Sequence, residues 1–167
     1  MKTHSRRVIG KGRLWRKPVE LSNNEKLMKY AGLAYALMFI GASLVFVFFS
    51  EGMFDLMNRF SEAFFPSLPM AADSGKFWLS LAVSMMATIT VLSLFIYANV
   101  REHYRMAVPL VAAKFTSSLF GIGFFIVGFG CPDTGWNNLA NFAIAVTDFP
   151  LGAFILVLYL RVKRERG

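Results

Sequence analysis

The stretch AIAVTDFPLGAFILVLYL, residues 143–160, decides how this chain folds: it is a nearly unbroken apolar run that carries a single carboxylate, Asp148. A helical crossing of a bilayer takes roughly 20 mostly apolar residues at about 1.5 Å rise each. Extended back to Trp136 the run meets that length, and three further segments meet it too: 30–50, 77–100 and 106–131. Within all four, only Lys114 and Asp148 carry full charge. Transmembrane strands would be about half as long and would alternate in polarity, which these continuous runs do not. The predicted fold class is therefore all-α, an integral membrane four-helix bundle with spans at about 30–50, 77–100, 106–131 and 136–160. Composition agrees, because 56% hydrophobic residues, 18 of them phenylalanine, exceed what a water-soluble core of 167 residues needs.

The net charge of +8 raises nucleic acid as a partner, but the spans partition the basic residues in a way that removes the need for one. Nine lysines and arginines precede the first span, Arg101 and Arg105 flank the link between spans 2 and 3, and Arg161, Lys163, Arg164 and Arg166 follow span 4. The remaining hydrophilic segments hold Arg59 and Lys76 against Glu51, Asp55, Glu62, Asp73 and Asp133. The positive-inside rule then places both termini in the cytoplasm, with the even number of spans in agreement. Expected partners are the lipid bilayer, anionic lipid headgroups at the cytoplasmic face, and a second copy or another membrane-complex subunit, with no nucleic acid.

Residues 1–26 read as a basic cytoplasmic arm, 27–161 as the bundle and 162–167 as a basic tail. The opening THSRRVIGKGRLW, residues 3–15, resembles a twin-arginine export signal, but a polar stretch including KPVELSNNEK separates it from the first apolar run, so a solvated arm is the preferred reading. Ser22 or Asn23 is the expected N-cap of span 1, with Glu25 in the first turn. Between spans 1 and 2, Met53, Leu56, Met57, Phe60 and Phe64 recur at helical spacing, which predicts a short interfacial amphipathic helix over about 52–65, stopped by Pro66 and Pro69. It is read as an anchor or lid over the bundle in preference to a partner-binding helix. Trp78 and Trp136 mark one membrane boundary, Tyr97 and Tyr104 the other. Short connections predict that spans 2 and 3, and spans 3 and 4, are antiparallel neighbours.

Asp148 lies thirteen residues before Arg161, about 20 Å along a straight helix. Similar counts from the other boundaries reach Ser118, Thr88 and Ser43, so each span offers a polar side chain at one level. A lone ionised aspartate near the bilayer centre costs roughly 2.5–3.5 kcal/mol on insertion scales, and it therefore needs partners. The expectation is that Asp148 faces inward and is held by Thr88 and Ser118, with Ser43 as a further candidate. Lys114, one turn from Ser118, either pairs with Asp148 or snorkels to the headgroups. Helical side chains lean toward their own N-terminus, which argues against a direct pair. Asn141, two turns from Asp148, would extend the layer into a polar track. Stripes of small residues, Ser80, Ser84 and Thr88, then Ala113, Ser117 and Gly121, then Asn141, Ala145, Asp148 and Gly152, are of the kind that lets membrane helices approach closely.

No catalytic, metal or cofactor site is expected. His4 and His103 lie outside the spans, which argues against a membrane haem, and His103 is placed to cap the end of span 2. Cys131 with Asp133 is too sparse for zinc or iron. GIGFFIVGFG, residues 121–130, lacks the strand that a dinucleotide loop requires. The runs KFWLSLAVSMMATITVL, PLVAAKFTSSLFGIGFF and VTDFPLGAFILVLYL together resemble small four-span bacterial inner-membrane proteins. That resemblance implies a bacterial inner-membrane location and carries no activity or site residue over. The leading functional reading is a non-catalytic accessory or self-associating subunit of a membrane assembly. The alternative is binding or transport of a small solute, proton or lipophilic ligand through a polar layer centred on Asp148; an enzyme acting on lipid comes last, for want of a catalytic constellation.

Overall fold

A computed structural model describes residues 20–68, 70, 76–131 and 137–166. The basic arm up to residue 19, Pro69, Asp73 and the loop residues Asp133 and Trp136 lie outside them. Among the described residues every regular element is helical: α1 (Asn23–Phe48), α2 (Ser50–Phe64), α3 (Lys76–Ala98), α4 (Val100–His103), a 3-10 turn (Tyr104–Met106), α5 (Ala107–Gly130) and α6 (Leu139–Arg166). Four stretches are long and apolar enough to cross a membrane: Asn23–Phe48, Ser80–Ala98, Val100–Gly130 and Leu139–Arg166. Large apolar side chains such as Leu37, Leu44, Phe48, Leu119, Ile126 and Phe149 point outward from them. A soluble protein could not leave so much apolar surface in water. The chain is thus a multi-pass membrane protein built as an all-α bundle.

Local chemistry sets the ends of these helices. Ser22 caps α1 by accepting from the Glu25 amide at 3.1 Å, while the Glu25 carboxylate accepts from the Ser22 amide at 3.0 Å, a reciprocal capping box. A single residue, Phe49, separates α1 from α2. In α2 the apolar positions divide between two sides. Met53, Met57 and Ser61 are wholly or partly buried, whereas Leu56, Phe60 and Phe64 stand exposed, with the last two rings 4.6 Å apart. This helix touches both α1 and α6. The basic residues after Leu160 do not form a separate tail, because α6 continues through them to Arg166.

The N-terminal end of α1, the C-terminal end of α6 and the link through α4 gather at one end of the bundle, hereafter the α4 end. Here lies the main core: Met28, Tyr35 and Phe39 of α1, Ile89 and Ile96 of α3, Leu110 of α5 and Ile155, Leu158 and Val162 of α6. Helix pairing departs in one respect from the expectation. α5 and α6 pack along their length as neighbours, but α3 packs along α1 and meets α5 only sparingly. A short link brings two helix ends together without forcing the rest to align, and the closer fit lies elsewhere. A Cβ on Gly32 of α1 would sit 2.9 Å from the Ser93 carbonyl oxygen and 3.2 Å from Ile96 of α3, so only glycine permits that approach. Gly32→Val is expected to lower stability by about 2 kcal/mol, because the opposing atom is backbone and cannot swing aside. Thermal unfolding in detergent, followed by circular dichroism, measures it.

Candidate functional site

Four polar side chains of α1 and α5, Tyr35, Lys114, Ser117 and Ser118, converge on α6. Asp148 is engaged at both oxygens: Lys114 Nζ of α5 lies 2.7 Å from Oδ1, and the Ser117 hydroxyl of α5 donates to Oδ2. One turn away Ser118 donates to the Ala145 carbonyl at 2.8 Å, and from α1 the Tyr35 hydroxyl donates to the Leu151 carbonyl at 2.6 Å. Lys114 also lies over the Phe39 ring, 4.2 Å from its centroid. In these contacts α1 and α5 supply the donors and α6 the acceptors. The acceptors at Ala145 and Leu151 bracket Pro150, whose missing amide hydrogen already interrupts the hydrogen bonding of α6 itself.

The ion pair is largely buried, with side-chain exposures of 7% for Lys114 and 16% for Asp148. Its burial is tolerable because each charge has a partner and Asp148 gains the Ser117 hydroxyl as well. The side-chain lean that argued against a direct pair is overcome by a local feature of α6. A Cβ on Gly152 would lie 3.0 Å from the Cβ of Lys114, which sets the lysine backbone one turn nearer the α4 end than Asp148. From there the flexible four-carbon stem is long enough to deliver its ammonium to the carboxylate.

The other expected members of the layer are placed differently. Thr88 does not reach Asp148; it is exposed and donates to the Ser84 carbonyl of its own helix at 3.0 Å. Ser118 holds the backbone of α6 and not the carboxylate, a consequence of helical azimuth, since adjacent residues at one depth point about 100° apart. Ser117 takes the role assigned to it. Ser43 lies on α1 with a buried hydroxyl oxygen that has no hydrogen-bond partner. The Asn141 backbone N–H donates to Asn138 Oδ1 at 3.0 Å in the first turns of α6. Tyr35 and Phe39 were not anticipated. Their signal was available, since both fall at helical spacing on the buried face of α1.

A second polar cluster closes the α4 end. Glu25 is buried and receives Arg101 Nε at 3.2 Å on each oxygen, with Arg166 Nε 3.9 Å away. Arg101 also donates to the Glu20 carbonyl at 2.6 Å, and Arg166 donates to the Arg101 carbonyl. Ser22 donates to Glu165 at 2.6 Å, and Asn24 donates to the other oxygen of that carboxylate. The cluster borders an open cavity of about 460 Å³. It ties the start of α1, the α3–α5 link and the end of α6 together.

Between α3 and α5 a mostly apolar cleft of about 190 Å³ runs past Ser84, Thr88, Leu92, Pro109 and Ala113. Ser84 and Thr88 are exposed along its α3 side, and Ser80 and Ala87 are exposed on the same helix. On α5, Gly121 of the corresponding stripe is used internally, since a Cβ there would lie 2.9 Å from the Asn141 carbonyl oxygen. Among the described residues, no group of three or more His, Cys, Asp and Glu side chains is placed to hold a metal ion. Comparison with protein-family models, with curated proteins and with solved structures finds no match.

Proposed function

We propose that this protein is a non-catalytic subunit that associates with itself or with a larger membrane assembly, in a bacterial inner membrane and with both termini in the cytoplasm. The observation that carries the reading is the uneven use of its small-residue faces. On α5, Ser117 and Gly121 are spent on contact with α6, while the stripe on α3 stands uncovered beside the open α3–α5 cleft that Ala113 also lines. Surfaces of this kind let membrane helices approach closely. The orientation is supported by the gathering of Arg101, Arg105, Arg161, Lys163, Arg164 and Arg166 at the α4 end.

The test is oxidative cross-linking in native membranes of a Ser84→Cys chain in which Cys131 is replaced by serine, with native mass spectrometry from nanodiscs alongside. A cross-linked species of fixed stoichiometry is expected for Ser84→Cys and not for Leu119→Cys, which faces away from α6. Monomer at every protein-to-lipid ratio, with no cross-link at either site, would contradict the reading.

A second reading, binding or passage of a small solute, proton or lipophilic molecule through the polar layer, is supported by an acid and a base buried together at mid-span. It requires that Lys114→Met with Asp148→Leu abolish proton or solute flux in proteoliposomes while the bundle still assembles.

A further inference from the structure

At the α4 end the rings of Tyr104 and Tyr159 stack with centroids 5.9 Å apart and planes 22° from parallel. Three cations gather on this pair. Arg105 lies 5.8 Å and Arg166 5.3 Å from the Tyr104 centroid, and Lys163 lies 6.0 Å from that of Tyr159. Arg166 is turned toward Glu25 and the Arg101 carbonyl. Arg105 and Lys163 are exposed, and among the described residues neither is paired with a carboxylate. Arg105 Nε is steadied by the Tyr104 hydroxyl at 3.3 Å, which leaves the rest of its guanidinium fork open.

Like charges held on one small patch repel, and a bound anion removes that repulsion. The surroundings identify the kind of anion. Met106 and Val108, just after Arg105, and Val157 and Leu160, beside Tyr159, are exposed apolar side chains at the ends of spans. Tyrosines at such a boundary sit at headgroup depth, with the ring toward hydrocarbon and the hydroxyl toward water. We propose that the Tyr104–Tyr159 stack, with Arg105 and Lys163 beside it, is a binding site for the phosphate headgroup of an anionic phospholipid whose acyl chains lie along Val108 and Val157. This goes beyond the assembly reading and does not depend on it, since the site is complete within one chain.

The experiment titrates phosphatidylglycerol, and separately phosphatidylcholine, into the full-length protein in detergent and counts bound lipid by native mass spectrometry. Wild type is expected to retain phosphatidylglycerol in preference to phosphatidylcholine. Arg105→Gln with Lys163→Gln is expected to weaken phosphatidylglycerol retention roughly thirtyfold, from the attraction that two basic groups exert on anionic lipid. Lys26→Gln, an exposed charge at the same end but off the stack, serves as the control and is expected to change it by no more than about fivefold, the diffuse attraction of one basic group. Equal retention of the two lipids by wild type would overturn the proposal without recourse to any variant. So would an equal loss in Lys26→Gln, which marks diffuse attraction, or displacement of the lipid by millimolar inorganic phosphate, which marks a soluble anion as the ligand.

Discussion

Asp148→Asn is expected to destabilise the bundle by about 3–5 kcal/mol, the cost of leaving a buried ammonium without its counter-charge. Lys114→Met should cost a similar amount for the opposite reason, because the Asp148 carboxylate would retain only the Ser117 hydroxyl. The pair Lys114→Met with Asp148→Leu should lose much less than the sum, since two apolar side chains at this depth carry no desolvation penalty. Reversible unfolding of the three variants in detergent gives the coupling energy directly. Near-additive losses would mean that the two groups do not meet. Full independence of stability from both residues would mean that they face lipid or water instead.

The second large effect is expected at the α4 end. Glu25→Ala removes half of the capping box and the carboxylate that receives Arg101 and Arg166, and should cost about 3 kcal/mol. Glu25→Gln keeps a side chain able to serve in the capping box but abolishes the charge, so it should cost about half as much. Arg101 is 29% exposed and recovers some hydration when its partner is lost, which holds both figures at or below the lower end of the range for the mid-span pair. Thermal unfolding at low and at high salt separates the two contributions, since only the ionic one is screened.

Much of this architecture was legible in the residues, and the reasons differ element by element. The four spans followed from length and apolarity, because lipid admits few alternatives to a helix for a backbone that must bond to itself. Ser22 or Asn23, with Glu25 after them, announced the start of α1, where Ser22 is the cap, and the amphipathic period of 52–65 announced α2. What could not be read was azimuth. Counting residues from a boundary sets depth, and it put Ser118, Thr88 and Ser43 near the level of Asp148. It could not distinguish Ser117 from Ser118, or show that Thr88 looks into a cleft.

The pairing of α3 with α1 was hidden for a related reason. It depends on Gly32 meeting the Ser93 carbonyl from far along the chain, whereas loop length favoured α5. Likewise the contact between Lys114 and Asp148 depends on a third position. Gly152 lets the backbone at Lys114 approach α6 closely, and a rule for single helices does not include what the neighbouring helix lacks.

The most direct measurement is the separation between Lys114 Nζ and the Asp148 carboxyl carbon in lipid bilayers, by solid-state nuclear magnetic resonance on selectively labelled protein. With the ammonium 2.7 Å from Oδ1, a distance within about 4 Å is expected. A distance beyond about 6 Å would break the ion pair, since it exceeds the reach of a charge-assisted hydrogen bond, and with it the polar node that joins α5 and α6.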